Sequence, residues 1–205
     1  MRGPTDAPYL AAFLASVPGP IVLVAHSYGG FVITNAATGN TNVKALVYID
    51  AFIPDEGQVP GDLNPNSCLD PGTAFRVVPV PALGDVDLYL QAAPNGPYQG
   101  FEECFANGVN RRDAAVLFAT QRPASIAQVG FVSGPPAWKD TPAGEAIPTW
   151  ALIGTADRVI TPTDQRAMAE HANAHIDTVD AGHLSLITRP NAVVKFIVTA
   201  SDATT

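Results

Sequence analysis

IVLVAHSYGG, residues 21–30, runs a string of apolar side chains into a short polar turn and a glycine pair. A continuous β-branched run of this kind predicts a strand buried on both faces, not one with a wet side. GGFVITNAATG, which follows, predicts a helix ending near Gly39. A strand that turns at once into a helix leaves Ser27 at the apex, between His26 and Tyr28. The neighbours two before and two after the apex must be small, because strand and helix approach closely there. Gly29 meets that need. Ala25 adds one methyl where glycine is usual.

Working outward, PYLAAFLASV (Pro8–Val17) predicts a helix that stops at Pro18–Gly19–Pro20, and VKALVYIDAF (Val43–Phe52) a second buried strand. The order helix, strand, helix, strand points to a parallel sheet. Between Pro54 and Pro148, prolines and glycines become frequent and the apolar runs shorten. DVDLYLQ, GFEECFANGV and RRDAAVLFATQ predict short helices of an inserted cap or lid there. The α/β pattern then resumes: TWALIGTAD and HIDTVDAGH predict strands, PTDQRAMAEHA and RPNAVVKFIVTA helices. Residues 1–53 and 148–205 thus read as the core and 54–147 as the cap, although a loop-rich part of the same domain would read similarly. The strands 21–26, 43–52, 148–155 and 175–181 are expected to pair in sequence order, all parallel, through right-handed crossovers.

Composition narrows the function classes. The chain has 205 residues, a net charge of −8, and lysine only at Lys44, Lys139 and Lys195. Nucleic acid and anionic membranes both need Lys/Arg clusters, so neither is an expected partner. The first residues, MRGPTDAPYL, hold no apolar signal-peptide core, and no stretch approaches a membrane span; a cytoplasmic location is the expectation. Cys68 and Cys104 lack metal-ligand spacing; a disulfide and two free buried thiols both remain open. His171 and His175 stand four apart, a metal spacing on a helix, but no third ligand or intervening glutamate accompanies them. A solvated face is the reading there, with no metal.

A bare serine is a poor nucleophile and needs a base held by a third group. Asp157 follows the strand TWALIGTA, and His183 follows HIDTVDAG. Both leave strand carboxyl ends, the edge that carries Ser27 and where open α/β sheets hold ligands. Asp50 also ends a strand and competes as the acid, whereas Asp180 reads as a loop-facing carboxylate inside a strand. The plainer readings are a helix N-cap for Ser27 and a buried hydrogen-bonded His183, and His26 is expected to pack or hydrogen-bond locally. Tyr89, Phe101, Phe105, Phe118, Phe131 and Trp138 could line an apolar pocket, and ordinary cap core explains them equally well.

Four stretches, IVLVAHSYGG, ALVYIDAFIPDEG, GTADRVITPTDQRAMAE and DAGHLSLITRP, together resemble the α/β-hydrolase superfamily, in its methylesterase and hydroxynitrile-lyase-like branch. The resemblance implies a partial α/β-hydrolase fold: a mostly parallel sheet flanked by helices, with an inserted helical cap. It implies Ser27 as nucleophile, His183 as base, Asp157 as the acid that orients it, and the Tyr28 backbone N–H as an oxyanion donor. The function implied is a serine hydrolase that cleaves small carboxylic esters through an acyl-enzyme, with no cofactor. Lyases of this branch place a lysine directly after the catalytic histidine; Leu184 stands there, which favours the esterase. A non-catalytic remnant that binds a ligand is the alternative from another class. Such hydrolases carry further strands and a second oxyanion donor ahead of the elbow strand, whereas twenty residues precede Ile21. Losing one donor lowers rate roughly 10²–10³-fold. An impaired esterase, with an exposed sheet edge that favours a homo-oligomer, is therefore expected.

Overall fold

The computed structural model describes residues 5–92, 100–140 and 144–204. Helix α1 (Asp6–Leu14) leads through a Pro-Gly-Pro turn to β1 (Ile21–Ser27), α2 (Gly29–Ala36) and β2 (Val43–Ala51). An excursion follows, made of α3 (Pro60–Leu63), β3 (Phe75–Val80), β4 (Asp85–Leu90), a π-helical turn at Phe101–Phe105, α4 (Arg111–Thr120), β5 (Ala124–Ser125) and α5 (Ile126–Val129). The chain closes with β6 (Thr149–Gly154), α6 (Pro162–His171), β7 (His175–Val179), α7 (Ser185–Thr188) and α8 (Pro190–Asp202).

The four long-range strands pair in the order β1-β2-β6-β7, all parallel, as their sequence order predicts. Period-two alternation sorts β2 between two cores. Leu46 and Tyr48 join Phe31 of α2, Leu14 of α1 and Met168 of α6 on one face. Ala45, Val47 and Ile49 meet Val193, Phe196 and Ala200 of α8 on the other. Interior strands buried on both faces have no position for a polar side chain except at their ends. Parallel pairing brings the polar ends of β1, β2 and β6 to one edge of the sheet. Two helix starts are capped by side chains: Thr161 accepts the Asp164 N–H at 3.3 Å ahead of Pro162, and Asn110 accepts the Asp113 N–H at 3.0 Å.

The excursion departs from expectation in one element. DVDLYLQ forms strand β4, not a helix, and pairs antiparallel with β3 and β5 in a separate three-stranded sheet. Its physical reason is visible in the alternation of Val86, Leu88 and Leu90 with Asp85, Asp87 and Tyr89, which suits a half-buried strand. RRDAAVLFATQ does form a helix, and GFEECFANGV forms the π-helical turn. Cys68 and Cys104 are joined as a disulfide, with a Cα–Cα distance of 5.8 Å. Closing 36 residues this way removes unfolded-state entropy worth about 4 kcal/mol.

β1 corrects a second expectation, since it is only half-buried. Among the described residues its outer edge has no partner strand, and Val24 is 39% exposed. Tyr9 and Phe13 of α1 are exposed as well. Unpaired N–H and C=O groups beside apolar side chains invite a second strand. At roughly 25 cal/mol per Å², burying even a few hundred Å² favours association by several kcal/mol. Light scattering at micromolar concentration is therefore expected to report a species larger than a monomer. Val24→Lys should return it to a monomer; a monodisperse unaltered chain would remove the edge from consideration.

Candidate active site

The turn at Ser27 is shaped by steric exclusion. Ser27 ends β1 with φ 53°, in the left-handed region that side-chain-bearing residues rarely enter. The turn lifts its hydroxyl away from the sheet and hands the chain to α2. A Cβ on Gly29 would stand 3.3 Å from the Ala25 Cβ, so Ala25 is accommodated because Gly29 faces it. Gly30 is more constrained still: a Cβ there would lie 1.9 Å from the Phe52 carbonyl oxygen. Sequence reasoning singled out Gly29 and did not weigh Gly30.

Three side chains from three strand ends converge. His183 Nε2 lies 3.0 Å from Ser27 Oγ, and His183 Nδ1 lies 2.8 Å from Asp157 Oδ2. The imidazole and the carboxylate are fully buried. Asp157 Oδ1 accepts the Val159 and Ile160 N–H groups at 2.8 and 3.1 Å, and Oδ2 accepts the Gln165 side-chain amide at 2.8 Å. With Nδ1–H donated to the carboxylate, Nε2 is left as the acceptor for the serine proton. Gln165 also donates to the Ile160 carbonyl at 2.8 Å, which fixes the amide in place.

His26 both packs and hydrogen-bonds, against His183. Its ring lies 4.6 Å from that of His183, and its Nε2 is 2.7 Å from the His183 carbonyl oxygen. Burial, with the neighbouring His183 adding to it, pushes His26 down to about 3. The ring is thus neutral at physiological pH. Facing a carbonyl, its Nε2 must carry the proton and donate it. On the other side, Phe105 meets the His183 ring edge-on at 5.2 Å.

The competing carboxylates fall elsewhere. Asp50 accepts the Gly154 N–H at 2.8 Å and the Ser185 N–H at 3.3 Å, and the Ser185 hydroxyl also donates to it. The hydrogen bond to His183 Nδ1 belongs to Asp157. Asp180 lies just beyond β7 instead of inside it, exposed and 3.8 Å from Arg189. His171 and His175 do not share a helix, since α6 ends at His171 and β7 begins at His175. His171 bonds Asp55 at 2.8 Å, and His175 stacks on Trp150. No group of three metal-ligating side chains occurs among the described residues.

Tyr28 caps the start of α2, which places its backbone N–H beside Ser27 at the positive end of the helix. Its ring borders a cavity of about 530 Å³ that opens at Ser27. The other walls come largely from Leu88 and Leu90 of β4, Phe75 of β3, and Phe101 and Phe105. Arg122 is the one charged side chain among the described residues lining it. The six aromatic residues therefore divide. Phe101 and Phe105 face the cavity, Phe118 backs Phe101 at 5.5 Å, and Phe131 and Trp138 belong to the main core. Tyr89 lies under the Arg76 guanidinium. Gln165 and the β4 wall escaped sequence reasoning; the period-two alternation signalled the wall, and nothing local signals the glutamine.

Comparison with known proteins bears on this arrangement. The alpha/beta hydrolase family model matches residues 3–196. The solved structure of polyneuridine aldehyde esterase superposes with a TM-score of 0.67 at 18% identity, covering 95% of this chain and 78% of that one. A methylesterase protein from Arabidopsis gives a TM-score of 0.72 at 15% identity, over 94% of this chain and 75% of its own. A pyrethroid hydrolase from Sphingobium faniae JZ-2 gives 0.58 at 19% identity, over 96% and 78%. A curated relative, a carbendazim hydrolyzing esterase of Nocardioides sp. (strain SG-4G), is 50% identical over 38 residues, 18% of this chain and 16% of that protein.

Proposed function

Because the chain belongs to the alpha/beta hydrolase family, we propose that it is a serine carboxylesterase working through an acyl-enzyme on Ser27. The observation that carries this reading is the unbroken relay from Ser27 Oγ to His183 at 3.0 Å and from His183 to Asp157 at 2.8 Å. Ser27 attacks the ester carbonyl while His183 Nε2 takes its proton. Asp157 holds the ring and stabilises the imidazolium that forms. The Tyr28 N–H, at the start of α2, meets the oxygen that becomes negative. His183 then protonates the departing alkoxide, and water deprotonated by the same nitrogen releases the acid.

Residues 54–147 act as the cap in this reading, and the cavity's apolar walls favour an uncharged ester with apolar groups. Leu184, buried beside His183 and lining the cavity, leaves no ammonium there to receive a cyanide ion, which supports the esterase over a hydroxynitrile lyase. The names of the similar proteins, among them an aldehyde esterase, a methylesterase and a pyrethroid hydrolase, agree with ester chemistry.

The test uses p-nitrophenyl acetate, butyrate and octanoate with a fluorophosphonate probe. A burst of p-nitrophenol followed by turnover is expected, with kcat/KM rising with acyl length. The probe should modify one peptide, the one that contains Ser27. A chain that neither turns over these esters nor takes the label would remove the enzymatic reading and leave a ligand-binding protein.

A further inference from the structure

Three non-glycine residues adopt left-handed backbone among the described residues: Ser27, Asp50 and Asn173. Such geometry persists only where the surroundings enforce it. For Ser27 the elbow is the reason. Asp50, with φ 44°, has no elbow to serve, yet its side chain is wholly buried at the carboxyl end of β2. The turn aims its carboxylate beneath the loops that leave β6 and β7. Oδ1 accepts the Gly154 N–H at 2.8 Å, and Oδ2 accepts both the N–H and the hydroxyl of Ser185. Gly154 stands three residues before Asp157, and Ser185 two residues after His183. A Cβ on Gly154 would come within 2.8 Å of both Asp50 Oδ1 and the Ala181 carbonyl, so the fit admits glycine alone.

We propose that Asp50 is a positioning residue for the reaction: its ionised carboxylate ties the segment bearing Asp157 to the segment bearing His183, and sets a second negative charge behind the histidine as it becomes imidazolium. This rests on Ser27, His183 and Asp157 being the reacting triad. All three hydrogens that point at Asp50 are donors' hydrogens. A protonated carboxyl would keep the Gly154 bond, but its own proton would have to displace one of those from Ser185. The ionised form is therefore the one that clamps both loops.

The electrostatics give this clamp a signature. Burial pushes the Asp50 carboxyl up to about 6; Ser185, His183 and the Gly154 N–H pull against burial, and the Asp157 charge adds to it. The ionisable groups facing it are His183 and Asp157. A folded value above the ordinary 3.8 means that the folded chain holds this proton to higher pH than the unfolded chain. The stability gained from that proton is full below about pH 4 and is lost as pH rises through about 6. At pH 8 the ionised Asp50 thus works against folding. A carboxylate retained only for stability would behave in the opposite way.

The experiment compares the unaltered chain with Asp50→Asn, Ser185→Ala and Ser185→Thr, using p-nitrophenyl acetate and fluorophosphonate labelling from pH 5 to 9, with thermal melts at pH 8. Asp50→Asn is expected to lower kcat and the labelling rate by roughly 10- to 100-fold, with KM within about twofold and the melting temperature not lowered. Below pH 6, log kcat/KM of the unaltered chain should fall with an added steepness that comes from the protonation of Asp50. Asp50→Asn should remove that added steepness. Ser185→Ala should share part of the kcat loss, and Ser185→Thr, which keeps the hydroxyl, should recover it. Unchanged kcat and slope in Asp50→Asn, or a kcat loss matched by a falling melting temperature, would overturn the proposal. If Asp50→Asn fails to fold, unchanged kcat and slope in Ser185→Ala would do so. An unaltered chain with neither label nor turnover would instead overturn the hydrolase reading, and this one with it.

Discussion

Ser27→Ala is expected to abolish fluorophosphonate labelling and to lower kcat/KM for p-nitrophenyl esters by at least about 10⁴-fold. The reason is that no other group among the described residues is placed to replace the hydroxyl. His26, the nearest comparable side chain, is neutral and has its Nε2 committed to the His183 carbonyl. His183→Ala should cost about as much, because nucleophile and base act as a unit and either loss leaves the other idle. Asp157→Asn should come close behind. Its amide could not accept the His183 Nδ1–H together with the Val159, Ile160 and Gln165 donors. Melting temperatures should separate chemistry from folding: Ser27→Ala is expected to melt at or above the unaltered chain, since it keeps a small side chain in the same turn. Substantial turnover in Ser27→Ala would move the nucleophile elsewhere.

Gly30→Ala is expected to be the most damaging single substitution to the fold. A methyl in a helix ordinarily gains up to about 1 kcal/mol over glycine. Here that gain is overwhelmed, because the new Cβ would lie 1.9 Å from the Phe52 oxygen, 2.9 Å from its carbonyl carbon and 3.1 Å from its nitrogen. All three atoms are backbone. They are held by the Phe52 N–H bonded to the Ser27 carbonyl at 3.2 Å, and by the Phe52 ring packed against Phe31 at 5.5 Å. Relief would require α2 to lift off the end of β2. A loss above about 4 kcal/mol is expected, most of the stability of a marginally stable domain. Soluble yield and a circular-dichroism melt measure it. Gly29→Ala is the control, with its milder 3.3 Å approach to Ala25, and Ala25→Gly in the same chain should relieve it. A Gly30→Ala chain that melts within about 2 °C of the parent would show that the helix can shift freely.

The core was legible because its strands are β-branched runs with breakers at their ends, and because each run delivers one polar residue to the same edge. Ser27, Asp157 and His183 could be singled out on that ground before any coordinates. Asp50 shares the same local signature as Asp157, a carboxylate at a strand end, so composition alone could not rank them. What separates them is which reaches His183 Nδ1, a distance across the sheet. Gln165 reads as any helix-surface glutamine until the Asp157 loop folds back over it. β4 was misread for a different reason: in a segment rich in proline and glycine, a six-residue alternating run offers too few periods to compete with a short-helix reading. β1 was misjudged as fully buried because its composition matches an interior strand, and a strand's place in its sheet is not written in its own residues.

The Cys68–Cys104 bridge turns the chain between them into a covalent ring whose ends stand 5.8 Å apart. One end is fastened beside the acid loop, where the Cys68 N–H bonds the Arg158 carbonyl at 2.8 Å; the other lies next to Phe105, which rests on His183. The ring itself carries Phe75, Leu88, Leu90 and Phe101, much of the cavity wall. The bridge holds the two ends of the ring to each other, so the span of chain between them is anchored at one place. Much of the cavity wall and the cluster of Ser27, His183 and Asp157 thus lie on separate stretches of the chain, joined by one covalent clasp.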